Sequence, residues 1–441
     1  MTSTHWSTKV DTTELKKIWQ IYSDNRPLPF LDKWLKHEGK FNPLLRQFSI
    51  PHQLLLASAM MDALRFMQLA HAMEMLFQQK ITKADLVEWD KNWTVAELDS
   101  FPTQYLWFWI VVRTGGDIRQ FSVKDYSKRE SFLQDFFANR QDDLLSVENL
   151  LWHGLRPGWK NLLLARREQS QWTDNQLNDF LDNKNQQPPV WLRIQKNADS
   201  ESLKNSLLAQ GVEAISDAEG NIGLQGGLGI NTTEEYRNGV IDIQDLASQL
   251  IAKQVAAKPG QKVWDVCAGA GGKSLAIATP MANKGMLLAT DIHQYKLDEL
   301  KRRAKAAELF NIRQFLWNAD EPLRLPKEVA QQKGFDWILV DAPCSASGTW
   351  RRNPDALWRF SEEDTQELIQ LQQKILHQAQ FSLKQDGHLV YATCSWQVSE
   401  NEEQVEHFLQ SHPEFTLVKQ TLLGSPELNS DTMFVAVMQR K

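Results

Sequence analysis

From the start of the chain to about Gln187, apolar positions recur at spacings of three and four, as in HQLLLASAMMDALRFMQLAHAMEMLF, and β-branched residues are few. That period predicts helices throughout this half. The polar stretch DFLDNKNQQPP, ending in Pro188 and Pro189, then interrupts the pattern as a linker does. Beyond it, VWLRIQ predicts a strand, SESLKNSLLAQG a helix stopped by glycine, and EAISDAEGNIGLQGG a hairpin, together a small α+β module.

From about Val240 short apolar runs alternate with amphipathic ones. KVWDV, GMLLAT, IRQFLW, FDWILV and GHLVYAT predict strands, each followed by a helix or by a turn leading to one. Such alternation is the mark of a mostly parallel sheet covered by helices on both faces. SEEDTQELIQLQQKIL predicts a helix opened by a Ser361/Asp364 capping box, with Leu368, Leu371 and Ile375 on one face. FTLVKQ and TMFVAVMQRK supply closing strands. The expected organisation is an all-helical domain over 1–187, an α+β module over 188–235, and a Rossmann-like α/β domain over 236–441.

A length of 441 residues agrees with more than one core, and 42% apolar with 24% charged residues is ordinary for a globular chain. The net charge of −6 excludes a general nucleic-acid coat protein while leaving room for a local basic groove. Most of the 17 tryptophans fall in the helical half, where core anchoring is the expected use. Three widely spaced cysteines form neither a disulfide framework nor a metal motif, so a reducing compartment and no metal are expected. The first residues lack an apolar leader core and YLWFWIVV is too short to span a bilayer; the chain is expected to be cytoplasmic, with no membrane partner.

Candidate chemistry clusters at predicted strand ends. VWDVCAGAGGKS leaves the first strand of the α/β half with Gly269, Gly271 and Gly272 before a helix, a turn that lets backbone approach a ligand. Asp291 ends the next strand and Asp320 the one after, and each alone has the ordinary reading of a helix N-cap. In strand order they favour an adenosine-type cofactor, for which a nicotinamide dinucleotide and S-adenosylmethionine both suit. The glycine spacing of a phosphate-binding Walker loop is absent. Cys267, Cys344 and Cys394 also follow predicted strands. Any one of them would ordinarily be a small buried hydrophobe, but ligands of open α/β sheets bind at this edge.

VCAGAGGK, DAPCSASGTWRRNPDALW and YATCSWQVSENE resemble, in order and spacing, the motifs of the Sun/Nop family of RNA cytosine-5 methyltransferases, with its PC and TC cysteines. VIDIQDLASQLIA and PPVWLRIQ extend the resemblance from about Pro188 to the end; PPVWLRIQ and Ala346 point to a bacterial branch acting on small-subunit ribosomal RNA. That branch carries a helical N-terminal domain similar to the antitermination factor NusB, whose motifs are not matched here. The resemblance implies a class I methyltransferase fold, S-adenosylmethionine as methyl donor, RNA as partner and a monomeric enzyme. It implies a cofactor loop of Cys267, Ala268, Gly269, Ala270, Gly271, Gly272 and Lys273, with Asp291, Asp320 and Asp341. Cys394 is the implied nucleophile and Cys344 the residue that assists release, with Asp341 and Lys273 beside them and Arg351 and Arg352 on RNA phosphate. Gly269 and Ala270 stand where the family has Ala-Pro, and DTMFVAV where it has Asp-Gly-Phe-Phe.

The chemistry explains two thiols. Carbon 5 of cytosine is a poor nucleophile until a thiolate adds to carbon 6 and pushes electron density onto it. The adduct must afterwards lose its carbon-5 proton and expel the sulfur. Asp341 would accept from the cytosine amino group, and the base must be single-stranded or turned out of its stack. A helix opening at Ser399 to Glu402 would favour the Cys394 thiolate, opposed by Glu400 and Glu402, with Ser399 and Glu402 expected as a capping box. KLDELKRRAK is expected to be a solvated helix face. Three other readings stay open: the same chemistry on transfer or other RNA, a DNA cytosine-5 methyltransferase, whose Glu-Asn-Val motif is missing, and a non-catalytic ribosome-assembly protein.

Overall fold

The protein is described by a computed structural model covering residues 5–196, 198–225 and 229–441. It divides into two compact units, Met1–Gln186 with Trp350–Phe360, and Gln187–Thr349 with Ser361–Lys441. This differs from the expected three-part division at one point above all: the segment after the Cys344 loop clusters with the helical unit.

The first unit is helical. Its longest helix, Ile50–Phe77, packs with Thr103–Thr114, in which every residue from Leu106 to Val111 is buried. The apolar run YLWFWIVV is therefore a core helix, ended by Gly115 in the left-handed conformation. Among the described residues no helix is long and apolar enough to cross a membrane. Trp6, Trp19, Trp93, Trp107 and Trp109 are buried, as expected of core anchors. Trp109 donates from Nε1 to Glu74 at 2.9 Å, and Arg129 forks onto the same carboxylate at 2.7 and 2.9 Å. Burial works against the charge of Glu74, but the Arg129 and Trp109 bonds outweigh it and hold the carboxyl below its usual range.

The second unit holds two sheets. The smaller runs β1 (Val190–Ile194), β2 (Ala214–Ser216), β3 (Ile222–Leu224) and β4 (Ile241–Ile243) in the order β2-β3-β1-β4, all antiparallel. Helices Ser200–Ala209 and Glu234–Arg237 make the connections, a β-α-β-β-α-β arrangement. The strand, helix and hairpin expected here are present, although glycines 226 and 227 of the hairpin stretch lie outside the described residues. β4 extends the module past 235, because its short IDI run becomes a strand only by pairing with β1.

The larger sheet contains β5 (Lys262–Asp265), β6 (Met286–Asp291), β7 (Ile312–Leu316), β8 (Phe335–Asp341), β9 (Leu383–Thr393), β10 (Phe415–Leu423) and β11 (Met433–Arg440). Its order is β10-β11-β9-β8-β5-β6-β7, parallel from β9 to β7, with β11 antiparallel to both of its neighbours, β9 and β10. Val263 and Trp264 point to opposite faces and both are fully buried, which is why these strands read as continuous apolar runs. Asp265, Asp291 and Asp341 all end their strands at the same sheet edge.

Replacing Glu74 by alanine should cost the helical unit about 3–5 kcal/mol, since Arg129 would be left charged and buried without its partner. The midpoint of urea unfolding measures this.

Candidate active site

The turn after β5 is bound into the sheet: the Ala268 amide donates to Thr290 O at 2.8 Å, and the Gly271 amide to Ala268 O at 2.9 Å. Gly271 has φ +90, and a Cβ there would lie 2.6 Å from Leu300 Cγ, so glycine is required on both counts. Helix Gly272–Ala278 follows. The Ala270 carbonyl accepts from Arg303 at 2.6 Å, and Arg303 also pairs with Asp242 of β4. The KLDELKRRAK helix is thus more than a solvated face: Arg303 ties the glycine turn to the small sheet.

Asp291 is nearly buried and accepts from the Gly269 amide at 3.0 Å and the His293 amide at 2.9 Å. Beside it opens a cleft of about 530 Å³, whose walls include Cys267, Gly269, Asp291, Trp317, Asn318 and Asp341. Ile292 and Leu371, 62% and 37% exposed, also line it. In helix Glu362–Gln380, Leu371 and Ile375 both line the cleft, Ile375 buried and Leu371 partly exposed. The Ser361 cap on the Asp364 amide is present at 3.0 Å. Asp320 does not line the cleft. The chain turns at Ala319, φ +61, and the Asp320 carboxylate pairs with Lys374 at 2.7 Å, which holds it below its usual range.

The two motif cysteines meet. Sγ of Cys344, on the loop after β8, lies 3.2 Å from Sγ of Cys394, on the loop after β9. The Cys394 amide donates to the Cys344 sulfur at 3.3 Å, and the Gly348 amide to Cys394 O at 3.0 Å. The hydrogen bond with Cys394, then burial, then the charges of Cys394 and Glu400 push the Cys344 thiol well above its ordinary range. Cys267, in the cleft wall, is also driven up, first by burial and then by Asp341.

Lys273 donates to Asp341 at 2.7 Å. Burial pulls its pKa down, but the charge and hydrogen bond of Asp341, then the charge of Cys394, overcome this and leave the ammonium raised. Beneath the turn, Asp265 is 1% exposed and accepts from Ser274 at 2.5 Å, while its Oδ1 has no partner among the described residues. Burial raises its pKa to about 7, with the Ser274 bond opposing and Asp341 adding.

Two expectations about charged neighbours are corrected. Arg351 is fully buried and its Nε donates to the carbonyls of Asn183 and Gln186 at 2.7 and 3.1 Å, so its guanidinium is enclosed in the helical unit rather than presented to phosphate. Arg352 is half-buried in the same segment. The Ser399/Glu402 capping box is not formed: a 3-10 turn spans Val398–Glu400, and helix Glu402–Ser411 starts after Asn401 with no side-chain cap. Instead Asn401 accepts from Thr393 Oγ1 at 2.5 Å and donates to Ser395 O at 2.9 Å, bracing the Cys394 loop. Glu400 is fully buried beside the Cys344 loop. The adjacent Glu400 and Asn401 were visible in YATCSWQVSENE, but nothing in the pattern of the chain told bracing side chains from solvated ones.

The sequence model of the family described as 16S rRNA methyltransferase RsmB/F matches residues 252–438. Relatives named ribosomal RNA small subunit methyltransferase B, from Yersinia pestis and Yersinia pseudotuberculosis, are 34% identical over 300 residues. The match spans 66% of this chain and 66% of theirs, just under two thirds of the relatives' length. Among solved structures, PH0851 is similar over the whole of both chains with a TM-score of 0.65 at 22% identity. NSun6 from Pyrococcus horikoshii with SFG is similar over 63% of this chain and 97% of its own, with a TM-score of 0.53 at 16% identity. The fold is that of a Rossmann-like class I methyltransferase preceded by a helical region.

Two outcomes follow for stability. An alanine Cβ at 348 would lie 1.7 Å from Thr432 O and 2.9 Å from Cys394 O, so Gly348→Ala should cost about 1–3 kcal/mol, read as a lowered Tm. Asp265 ionises near 3.8 when unfolded and near 7 in the fold, so between those pH values unfolding releases a proton that the fold retains. Its contribution is present in full below about pH 4, falls as pH rises, and levels off above about pH 7, by at most roughly 4 kcal/mol. Asp265→Asn should flatten that part of the stability curve of the ligand-free protein, measured by urea unfolding at a series of pH values.

Proposed function

We propose, because the chain belongs to the Sun/RsmB family of ribosomal RNA methyltransferases, that it methylates carbon 5 of a cytosine in small-subunit ribosomal RNA through a covalent adduct on Cys394. The observation that carries this reading is the 3.2 Å approach of the Cys344 and Cys394 sulfurs beside the Lys273–Asp341 pair.

The cleft suits S-adenosylmethionine. Its volume of about 530 Å³ falls within the usual range for ligand sites. Asp291, with Gly269 and His293 amides on its two oxygens and Lys296 3.7 Å from one of them, faces the cleft as an acceptor for ribose hydroxyls, and Ile292 and Leu371 offer exposed apolar walls for an adenine. Asn318, rather than the expected Asp320, supplies the polar group on that wall. Bound there, the cofactor supplies an electrophilic methyl group.

The chain's own residues divide the remaining work. The raised Lys273 ammonium favours a thiolate at Cys394, which adds to carbon 6 and delivers an electron pair to carbon 5. Asp341, held in place by Lys273, accepts from the cytosine amino group. Cys344, still protonated and within hydrogen-bond reach, gives its proton to the Cys394 sulfur as the adduct breaks down. Three free cysteines suit a monomeric enzyme in the reducing cytoplasm.

With small-subunit ribosomal RNA transcript and S-adenosylmethionine, Cys344→Ala should accumulate a covalent protein–RNA complex that survives denaturing electrophoresis, and Cys394→Ala should form none. Unchanged methyl transfer in both variants would contradict the mechanism.

A further inference from the structure

Glu400 stands apart from the groups that touch substrate, yet it is fully buried and its carboxylate is aimed at the backbone next to Cys344. Oε1 accepts from the Ser345 amide at 2.8 Å and from Gln372 Nε2 at 3.1 Å; Oε2 accepts from Ser345 Oγ at 2.5 Å. Gln372 also donates to Pro343 O at 3.0 Å, so the residues on both sides of Cys344 are held from one place. The Glu400 carbonyl in turn accepts from Tyr391 Oη at 2.7 Å, which anchors it to β9, the strand that carries Cys394. A buried carboxylate with three donors is costly to create and costly to lose. This one joins the loops of the two reacting sulfurs.

Resting on the function proposed above, we propose that Glu400 is a positioning residue for release: by gripping Ser345 it keeps the Cys344 thiol where it can protonate the departing Cys394 sulfur. In that step a water molecule removes the carbon-5 proton and the C–H electrons form the 5,6 double bond. The electrons of the carbon 6–sulfur bond go to Cys394, which takes the proton of Cys344, and the carbon-5 proton returns to Cys344 through water. Formation of the adduct needs Cys394, Lys273 and Asp341, none of which Glu400 holds by a hydrogen bond of its side chain. Loosening the Cys344 loop should therefore slow the exit and spare the entry.

The test uses the full chain, small-subunit ribosomal RNA transcript and radiolabelled S-adenosylmethionine, following the denaturation-resistant complex and the free methylated RNA separately. Glu400→Ala should form complex at near wild-type rate and release product at least tenfold more slowly. Glu400→Gln, which retains an acceptor for the Ser345 amide, should fall between the two and remains informative if the alanine variant does not fold. Release within twofold of wild type in Glu400→Gln and in a folded Glu400→Ala, or equal slowing of formation and release, would overturn the inference. A Cys344→Ala protein that traps no RNA would overturn the underlying function as well. Trapping by Cys344→Ala with normal release by the Glu400 variants would overturn the role of Glu400 alone.

Discussion

The parallel register of β8 against β9 is the constraint on which the site depends. Asp341 lies opposite Ala392, and from that point the two strands run on into the loops that carry Cys344 and Cys394. A slip of one residue would turn every side chain of one strand to the opposite face and carry its sulfur away from the other. Ile338, Leu339 and Val340 on one strand and Leu389, Val390 and Tyr391 on the other are fully buried, so packing on both faces of the sheet holds the register. Beyond the strands, the Gly348 amide on Cys394 O and the serine hydroxyls of Ser347 and Ser395, 2.9 Å apart, close the two loops against each other.

That geometry also sets the surroundings of two of the three thiols. Burial and then acidic neighbours push the Cys267 thiol up, and the hydrogen bond with Cys394, then burial, pushes Cys344 up. Cys394 is the thiol whose charge enters into the raised pKa of Lys273. Lys273 in turn is held by Asp341, so one ion pair at a strand end fixes both side chains. Asp265 below adds a carboxyl whose pKa burial raises to about 7.

Much of this was legible in the chain because it follows from local pattern. The apolar runs ending in Asp291, Asp341 and Thr393 declared buried parallel strands, and the glycine turn declared a ligand approach. What escaped depends on distant partners. IDI at β4 has no strand signal without β1 beside it. Arg351 looks like any basic pair member until the carbonyls of Asn183 and Gln186 enclose it. Asp320 fits the acid-at-strand-end pattern, but Ala319 turns the backbone and Lys374 captures the carboxylate, leaving Asn318 in the cleft. Glu400 and Glu402 are alike in the sequence, and only tertiary packing makes the first a brace for the Cys344 loop.

The central claim is that the sulfur of Cys394, and no other, bonds to the pyrimidine. The most direct measurement is peptide mapping by mass spectrometry of the unsubstituted protein after reaction with RNA carrying 5-fluorocytosine, whose fluorine cannot leave as a cation and so arrests the adduct. The nucleotide should be found on the peptide containing Cys394. Its attachment to Cys344 or Cys267 would contradict the account.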